Sequence, residues 1–124
     1  MHEFSIVEAL LEQCERLARE QGAIGVTQVK VQLGELSGVE PALLATAFDG
    51  FKLGSLCERA ELELEIVPLT LSCNDCGASG PAHNRSMICP QCQGTNTRTL
   101  TGEELLLARL ELELPGDTSP LSAS

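Results

Sequence analysis

The chain has 124 residues and a formal charge of −10, with eight Lys and Arg scattered along it and Phe4, Phe48 and Phe51 as its only aromatic residues. That balance argues against a nucleic-acid binder, which needs clustered basic side chains for phosphates and aromatic faces for bases. No segment is long and apolar enough to span a bilayer, and no basic, apolar leader opens the chain, so a cytosolic location with reduced thiols is expected.

In chain order, a first helix is expected from about Ser5 to Glu20, with Ser5 and Glu8 as an S-x-x-E capping box and Ile6, Leu10, Cys14 and Leu17 as its apolar stripe. Gly22 and Gly25 end it. Val29, Val31 and Leu33 alternate with polar residues as a half-buried strand, followed by a turn at Gly34-Glu35-Leu36-Ser37-Gly38. Pro41 opens a second helix, whose buried stripe would be Leu43 or Leu44, Ala47 or Phe48, and Phe51, with Gly54 as its stop. Leu62, Leu64 and Ile66 alternate with Glu61, Glu63 and Glu65. Far downstream, Leu106, Ala108, Leu110, Leu112 and Leu114 alternate with Leu107, Arg109, Glu111 and Glu113. Each segment reads as a strand with one apolar face, and the glutamate rows read as a solvated sheet face.

The economical fold is α+β: a small three-stranded sheet carrying two helices on one face, interrupted by a zinc-ribbon-like four-cysteine insert that leaves after Pro68 and returns near Thr101. The expected organisation is a discontinuous α/β domain of residues 1–69 with 98–114, a metal module of 70–97, and a disordered tail of 115–124 rich in Gly, Ser, Pro and Asp.

Cys73-Asn74-Asp75-Cys76 and Cys89-Pro90-Gln91-Cys92 are two C-x-x-C pairs separated by twelve residues. Each pair can grip one side of an ion, and together they make a closed tetrahedral thiolate set, which is a staple rather than a catalyst. A module this short cannot bury a sizeable core, so a bound ion would be its main source of stability, about 10–16 kcal/mol for zinc in comparable modules. Gly77 and Gly94 follow the pairs and suit the positive φ of a chain curling under a metal. Thiolates alone do not choose between Zn²⁺ and iron. The insert has no aromatic residue to shield a redox centre, which favours zinc over a rubredoxin-like iron electron carrier. A zinc-ribbon protein-interaction adaptor is a further alternative. Cys14 falls on a helical stripe as a small core residue, and Cys57 sits in a loop with no assigned role. His83, between the pairs, reads as a solvated loop residue or as an alternative zinc ligand. With two histidines and no nucleophile–base pairing, no enzyme is expected.

Met1-His2-Glu3 forms a second candidate site. The Met1 amine, the His2 backbone nitrogen and the His2 Nδ1 can close fused chelate rings on one ion, and the Glu3 backbone nitrogen or carboxylate can supply a fourth donor. A square of nitrogens suits Ni(II) or Cu(II), and the residues alone do not separate the two.

Met1-His2-Glu3 ahead of a helix, the stretch Gly34-Glu35-Leu36-Ser37-Gly38-Val39-Glu40-Pro41 and the two cysteine pairs together resemble the HypA/HybF family of hydrogenase-maturation nickel metallochaperones over roughly residues 1–114. The resemblance implies that His2 is the principal Ni²⁺ ligand with Glu3 assisting, and that Cys73, Cys76, Cys89 and Cys92 hold structural Zn²⁺. It also implies a HypB-like GTPase partner and delivery to the large subunit of a nickel-iron hydrogenase, with urease maturation a further outlet. The protein itself would be a monomer or a homodimer. The segment Ser55-Leu56-Cys57-Glu58-Arg59 looks less like the family than its flanks.

Overall fold

The structure is a computed structural model that describes residues 2–116, with His2 described by its backbone only. Met1 and residues 117–124 of the expected tail lie outside the described residues. The elements in chain order are α1 (His2–Glu20), β1 (Gly25–Gly34), α2 (Pro41–Phe51), β2 (Glu61–Val67), β3 (Thr70–Cys73), β4 (Ser79–Pro81), β5 (Thr97–Thr101) and β6 (Leu105–Glu113). They form two three-stranded sheets, ordered β2-β1-β6 and β4-β3-β5. By contacts the chain divides into one unit of Met1–Val31, Glu40–Glu63 and Leu107–Ser124, and a second of Gln32–Val39 and Leu64–Leu106.

In the first unit α1 begins three residues earlier than the capping box predicts, so Ser5 and Glu8 lie inside the helix. The reason is the buried stripe. Val7, Leu10, Leu11, Cys14 and Ala18 are buried, and the same face continues back to Glu3, which is also buried. The Glu3 carboxylate (Oε2) accepts a hydrogen bond from the backbone N–H of Glu40 at 3.3 Å. Glu40 is the N-cap of α2 and makes no side-chain cap of its own. An anion at that position also complements the positive end of the helix dipole. Ile6 and Leu17 flank the stripe and are only half-buried. On α2 the buried residues are Leu44, Ala47 and Phe48, while Leu43 faces outward. Phe51 is not core: it is 43% exposed and meets Phe4 of α1 edge-on, with ring centroids 5.4 Å apart.

The middle strand β1 carries the sheet's share of the core, with Val26, Val29, Val31 and Leu33 all buried. Its alternate face is polar and pairs with the glutamate row of β2. Gln28 Nε2 donates to Glu63 Oε1 at 3.0 Å, Lys30 Nζ lies 4.0 Å from Glu63 Oε2, and Gln32 Nε2 donates to Glu65 Oε1 at 3.2 Å. The expected apolar faces of the two outer strands are shallower than their alternation suggests. Leu62, Leu64, Leu110 and Leu112 are half-buried, whereas Ile66 is 50% and Leu106 53% exposed, and Ala108 and Leu114 are exposed as well. Both strands lie at sheet edges, where each has a neighbour on one side only.

In the second unit, β3 pairs antiparallel with both β4 and β5, in register Leu71↔Gly80 and Leu71↔Thr99. This small sheet is absent from the sequence reading, because its threonines, serines and glycines show no apolar alternation. The Gly34–Gly38 turn closes against its flanks. Gly34 N–H donates to Glu104 O at 2.7 Å, Glu35 N–H to Val67 O at 2.8 Å, and Leu36 N–H to Gly102 O at 2.6 Å. The Glu35 carboxylate accepts from the Leu69 N–H at 2.8 Å through Oε1, while Arg85 Nε lies 3.8 Å from Oε2. A side chain at position 34 has no room: its Cβ would fall 2.1 Å from Gly102 O.

Gly34→Ala is therefore expected to cost more than about 3 kcal/mol or to prevent folding, because backbone rather than a flexible side chain blocks the new methyl. Gly50, in α2 with nothing within 4 Å of its would-be Cβ, is the matched control. Gly50→Ala should stabilise by about 0.5–1 kcal/mol. Urea titration of both variants, followed by circular dichroism, checks the pair.

Candidate metal centre

The four predicted cysteines come together. The Sγ atoms of Cys73, Cys76, Cys89 and Cys92 all lie within 4.8 Å of one another, and they are the one cluster of metal-ligating side chains among the described residues. Cys73 and Cys92 sulfurs are 3.7 Å apart, and Cys76 and Cys89 sulfurs 3.6 Å. A tetrahedron of sulfurs about 2.3 Å from a central ion has edges of about 3.8 Å, so these spacings fit a shared ion. They are far longer than a disulfide bond of about 2.05 Å. Cys73 and Cys89 are buried, while Cys76 and Cys92 face solvent.

Two similar backbone loops build the site. Cys73 O accepts from Gly77 N–H at 3.0 Å, and Cys89 O accepts from Gln93 N–H at 2.9 Å. Cys73 N–H donates to Ala78 O at 2.8 Å, and Cys89 N–H to Gly94 O at 2.9 Å. The first loop uses Gly77 at φ +78°, as the sequence suggests, but the second places Gln93, not Gly94, in the left-handed region at φ +65°. Gly94 is small for a different reason: a Cβ there would stand 3.2 Å from Cys92 Sγ and 3.4 Å from Asp75 Oδ2. A side-chain relay ties the loops further. Asn74 Nδ2 donates to Asn96 Oδ1 and Asn96 Nδ2 to Asp75 Oδ1, each at 3.1 Å.

Backbone N–H groups aim at the sulfurs. Those of Cys92 and Gln91 point at Cys89 Sγ, the latter at 3.4 Å, and bring that thiol down to about 7. The Gly94 N–H acts in the same direction on Cys92, but its bond to the Cys73 thiol and its desolvation outweigh that and push Cys92 up to about 12. Cys76 has the Ala78 N–H lowering it, yet desolvation and the neighbouring Cys89 and Cys73 thiols leave it raised. One thiol is thus poised to ionise near neutrality, and two of the others hold their protons until a cation displaces them. His83 is not among the clustered ligands. It is exposed, and it lines a groove of about 380 Å³ together with Leu71, Ala78, Pro81 and Cys89.

At the other candidate site, the backbone of His2 opens α1. First-turn nitrogens of a helix have no acceptor within the helix itself. The Glu3 carboxylate is turned toward the start of α2, where it meets the Glu40 N–H. By its place in Met-His-Glu, Glu3 reads only as a ligand. Its structural contact spans 37 residues, which no local pattern reveals.

The family model described as "Hydrogenase/urease nickel incorporation, metallochaperone, hypA" matches residues 1–112. The chain is 50% identical over 117 residues to the hydrogenase maturation factor HypA of Shewanella baltica, covering 94% of this chain and all of that one. It is 48% identical over 114 residues to the same factor of Aquifex aeolicus, covering 92% and 99%. Among solved structures, the Ni metallochaperone HypA from Helicobacter pylori superposes with a TM-score of 0.67 at 30% identity, covering 90% of this chain and 97% of that one. The near-complete match of the family model, the relatives at about half identity and the shared fold agree: the chain belongs to the HypA family of nickel-incorporation metallochaperones for hydrogenase and urease.

Proposed function

We propose that this chain carries Ni(II) at its first residues and keeps Zn(II) permanently in the four-sulfur site. The observation that carries the reading is the start of α1. His2 and Glu3 stand at the first turn of a helix that is anchored through Glu3 to α2. His2 is the principal nickel ligand through its imidazole and backbone nitrogen, Met1 contributes its amine, and Glu3 contributes its backbone nitrogen. The Glu3 carboxylate, held at the α2 N-terminus, sets where that nitrogen sits. Nickel is cargo here, and no bond of a substrate is made or broken. Release is assisted by acid, because protons compete with nickel for the imidazole and amine. A closed thiolate set leaves zinc no open position, so zinc supplies structure.

On the same reading the protein works in the cytoplasm, as a monomer or homodimer. It meets a HypB-like GTPase and delivers nickel to the large subunit of a nickel-iron hydrogenase, with urease maturation as a second outlet. The family description names both hydrogenase and urease, which supports the two destinations.

His2→Ala should lower nickel affinity at least about 100-fold in calorimetric titration of zinc-loaded protein. Residues added ahead of Met1 should weaken it as well, by converting the amine to an amide. Unchanged affinity in the first variant removes the site, and in the second it removes the amine as a ligand. For the sulfur site, Cys73→Ser should release the ion and abolish hydrogen-exchange protection in β3, β4 and β5. The sign with pH follows from the thiols: acid restores the protons that the ion displaced from Cys92 and Cys76. Zinc should therefore be held at neutrality and released as the pH falls, read with a zinc-sensitive dye.

A further inference from the structure

The β2-β1-β6 sheet ends in two edge strands, and the two edges differ in kind. β2 is guarded. Glu61, Glu63 and Glu65 put a carboxylate at every second position, so a second copy of β2 laid antiparallel beside it would set glutamate against glutamate. β6 has no such guard. It runs from Leu105 to Glu113, and no strand pairs with its outer side among the described residues. Leu105 and Leu106 at its start are 41% and 53% exposed, and Leu114 just past its end is 41% exposed. The strand holds one arginine against two glutamates, so it is nearly neutral in a chain of charge −10. A long, apolar, uncharged edge is a template for pairing with another strand.

We infer that β6 pairs antiparallel with β6 of a second copy of this chain, across a two-fold axis at Leu110, so that two three-stranded sheets join into one of six strands. The residues of the strand select both the partner and the register. Residues directly opposite each other in an antiparallel pair share a face of the sheet. On one face, Leu106 then stands opposite Leu114 of the second copy, Ala108 opposite Leu112 of the second copy, and Leu110 opposite its own counterpart. The exposed leucines at the two ends of the strand thus cover each other. On the other face, Arg109 stands opposite Glu111 of the second copy, and symmetry repeats that pair; Leu107 meets Glu113 of the second copy. Within one copy Arg109 Nη2 already lies 2.9 Å from Glu111 Oε2, with the two side chains 66% and 41% exposed. A second copy lays the same pair across it in reverse, and four charges alternate in sign. Neighbouring registers lose this match. An axis at Arg109 sets two arginines directly opposite, and an axis at Glu111 sets two glutamates opposite, both of which are destabilising. Pairing β6 with β2 of another copy would be head-to-tail, would not close on itself, and would bring the glutamate row of β2 against Glu111 and Glu113. The two-fold arrangement closes after two copies. It goes beyond the metal readings and stands or falls without them.

The test is sedimentation of zinc-loaded, full-length protein over a concentration series, with circular dichroism and melting of each variant in parallel. The unaltered chain should show a monomer–dimer equilibrium. Arg109→Glu and Glu111→Arg should each weaken the dimer about tenfold or more, because symmetry turns two attractive pairs into two repulsive ones. The double variant, which exchanges the two charges, should return to within about threefold of the unaltered chain. A second readout needs no variant: hydrogen exchange at about 5 and about 200 µM should show added protection in residues 105–114 at the higher concentration. A monomer throughout the series leaves this edge to solvent or to another protein's strand and overturns the inference. A dimer that neither single variant weakens, that the charge exchange does not restore, or that adds protection elsewhere but not in β6 overturns it as well. Should a single variant fail to fold, the exchange experiment on the unaltered chain decides by itself.

Discussion

Four sulfurs set at the edges of a tetrahedron are the constraint on which the second unit depends. Between Thr70 and Thr97 the buried side chains are Leu71, Cys73 and Cys89, and two of those three are themselves ligands. No hydrophobic core of that size offsets the entropy of ordering the segment. Thiols at this spacing, without an ion, are a set of competing protons and mutually repelling thiolates. With an ion they become a cross-link between two loops that are distant in sequence. The N–H groups aimed at Cys89, Cys92 and Cys76 serve that state, since they favour sulfur as an anion.

A second theme is the use of acidic side chains as backbone acceptors. In a chain of charge −10, glutamates are expected on the surface as solubilising groups. Three of them instead reach across the fold to a backbone N–H. Glu3 takes that of Glu40, Glu15 that of Leu56, and Glu35 that of Leu69. Each such N–H lies at a helix start, a turn or a strand entry, where the regular ladders leave donors unused. Hydrogen bonds to a charged acceptor are stronger than neutral ones, typically by about twofold. In the first unit two of these glutamates belong to α1, so that helix organises both the start of α2 and the turn after it. His2 and Glu3, proposed as nickel ligands, lie on the same helix.

Much of the architecture was legible in residue order. Helices around Leu10–Cys14 and Leu44–Phe48 and the strand at Val29–Leu33 follow from apolar spacing, because each buries a face against a core and burial imposes the period. The C-x-x-C pairs announce their own geometry for a similar reason: two ligands on one short loop can reach one ion whatever the rest of the chain does. The chelating role proposed for Met-His-Glu likewise rests on donors that are covalent neighbours.

What the residues determined by themselves was therefore set by local spacing: the periods of the main elements and the metal loops. Tertiary structure decided what depends on groups far apart in the chain. It started α1 at His2 rather than at the capping box, since the acceptor that favours the longer helix is Glu3 meeting Glu40. It forbade any side chain at Gly34, since the obstacle is the backbone of Gly102. It left Leu106 and Ile66 in solvent, since the edge position of a strand is a property of the sheet and not of its alternation. It also brought the turn after α2 against α1, since the Leu56 N–H finds its acceptor in Glu15, far away in the chain.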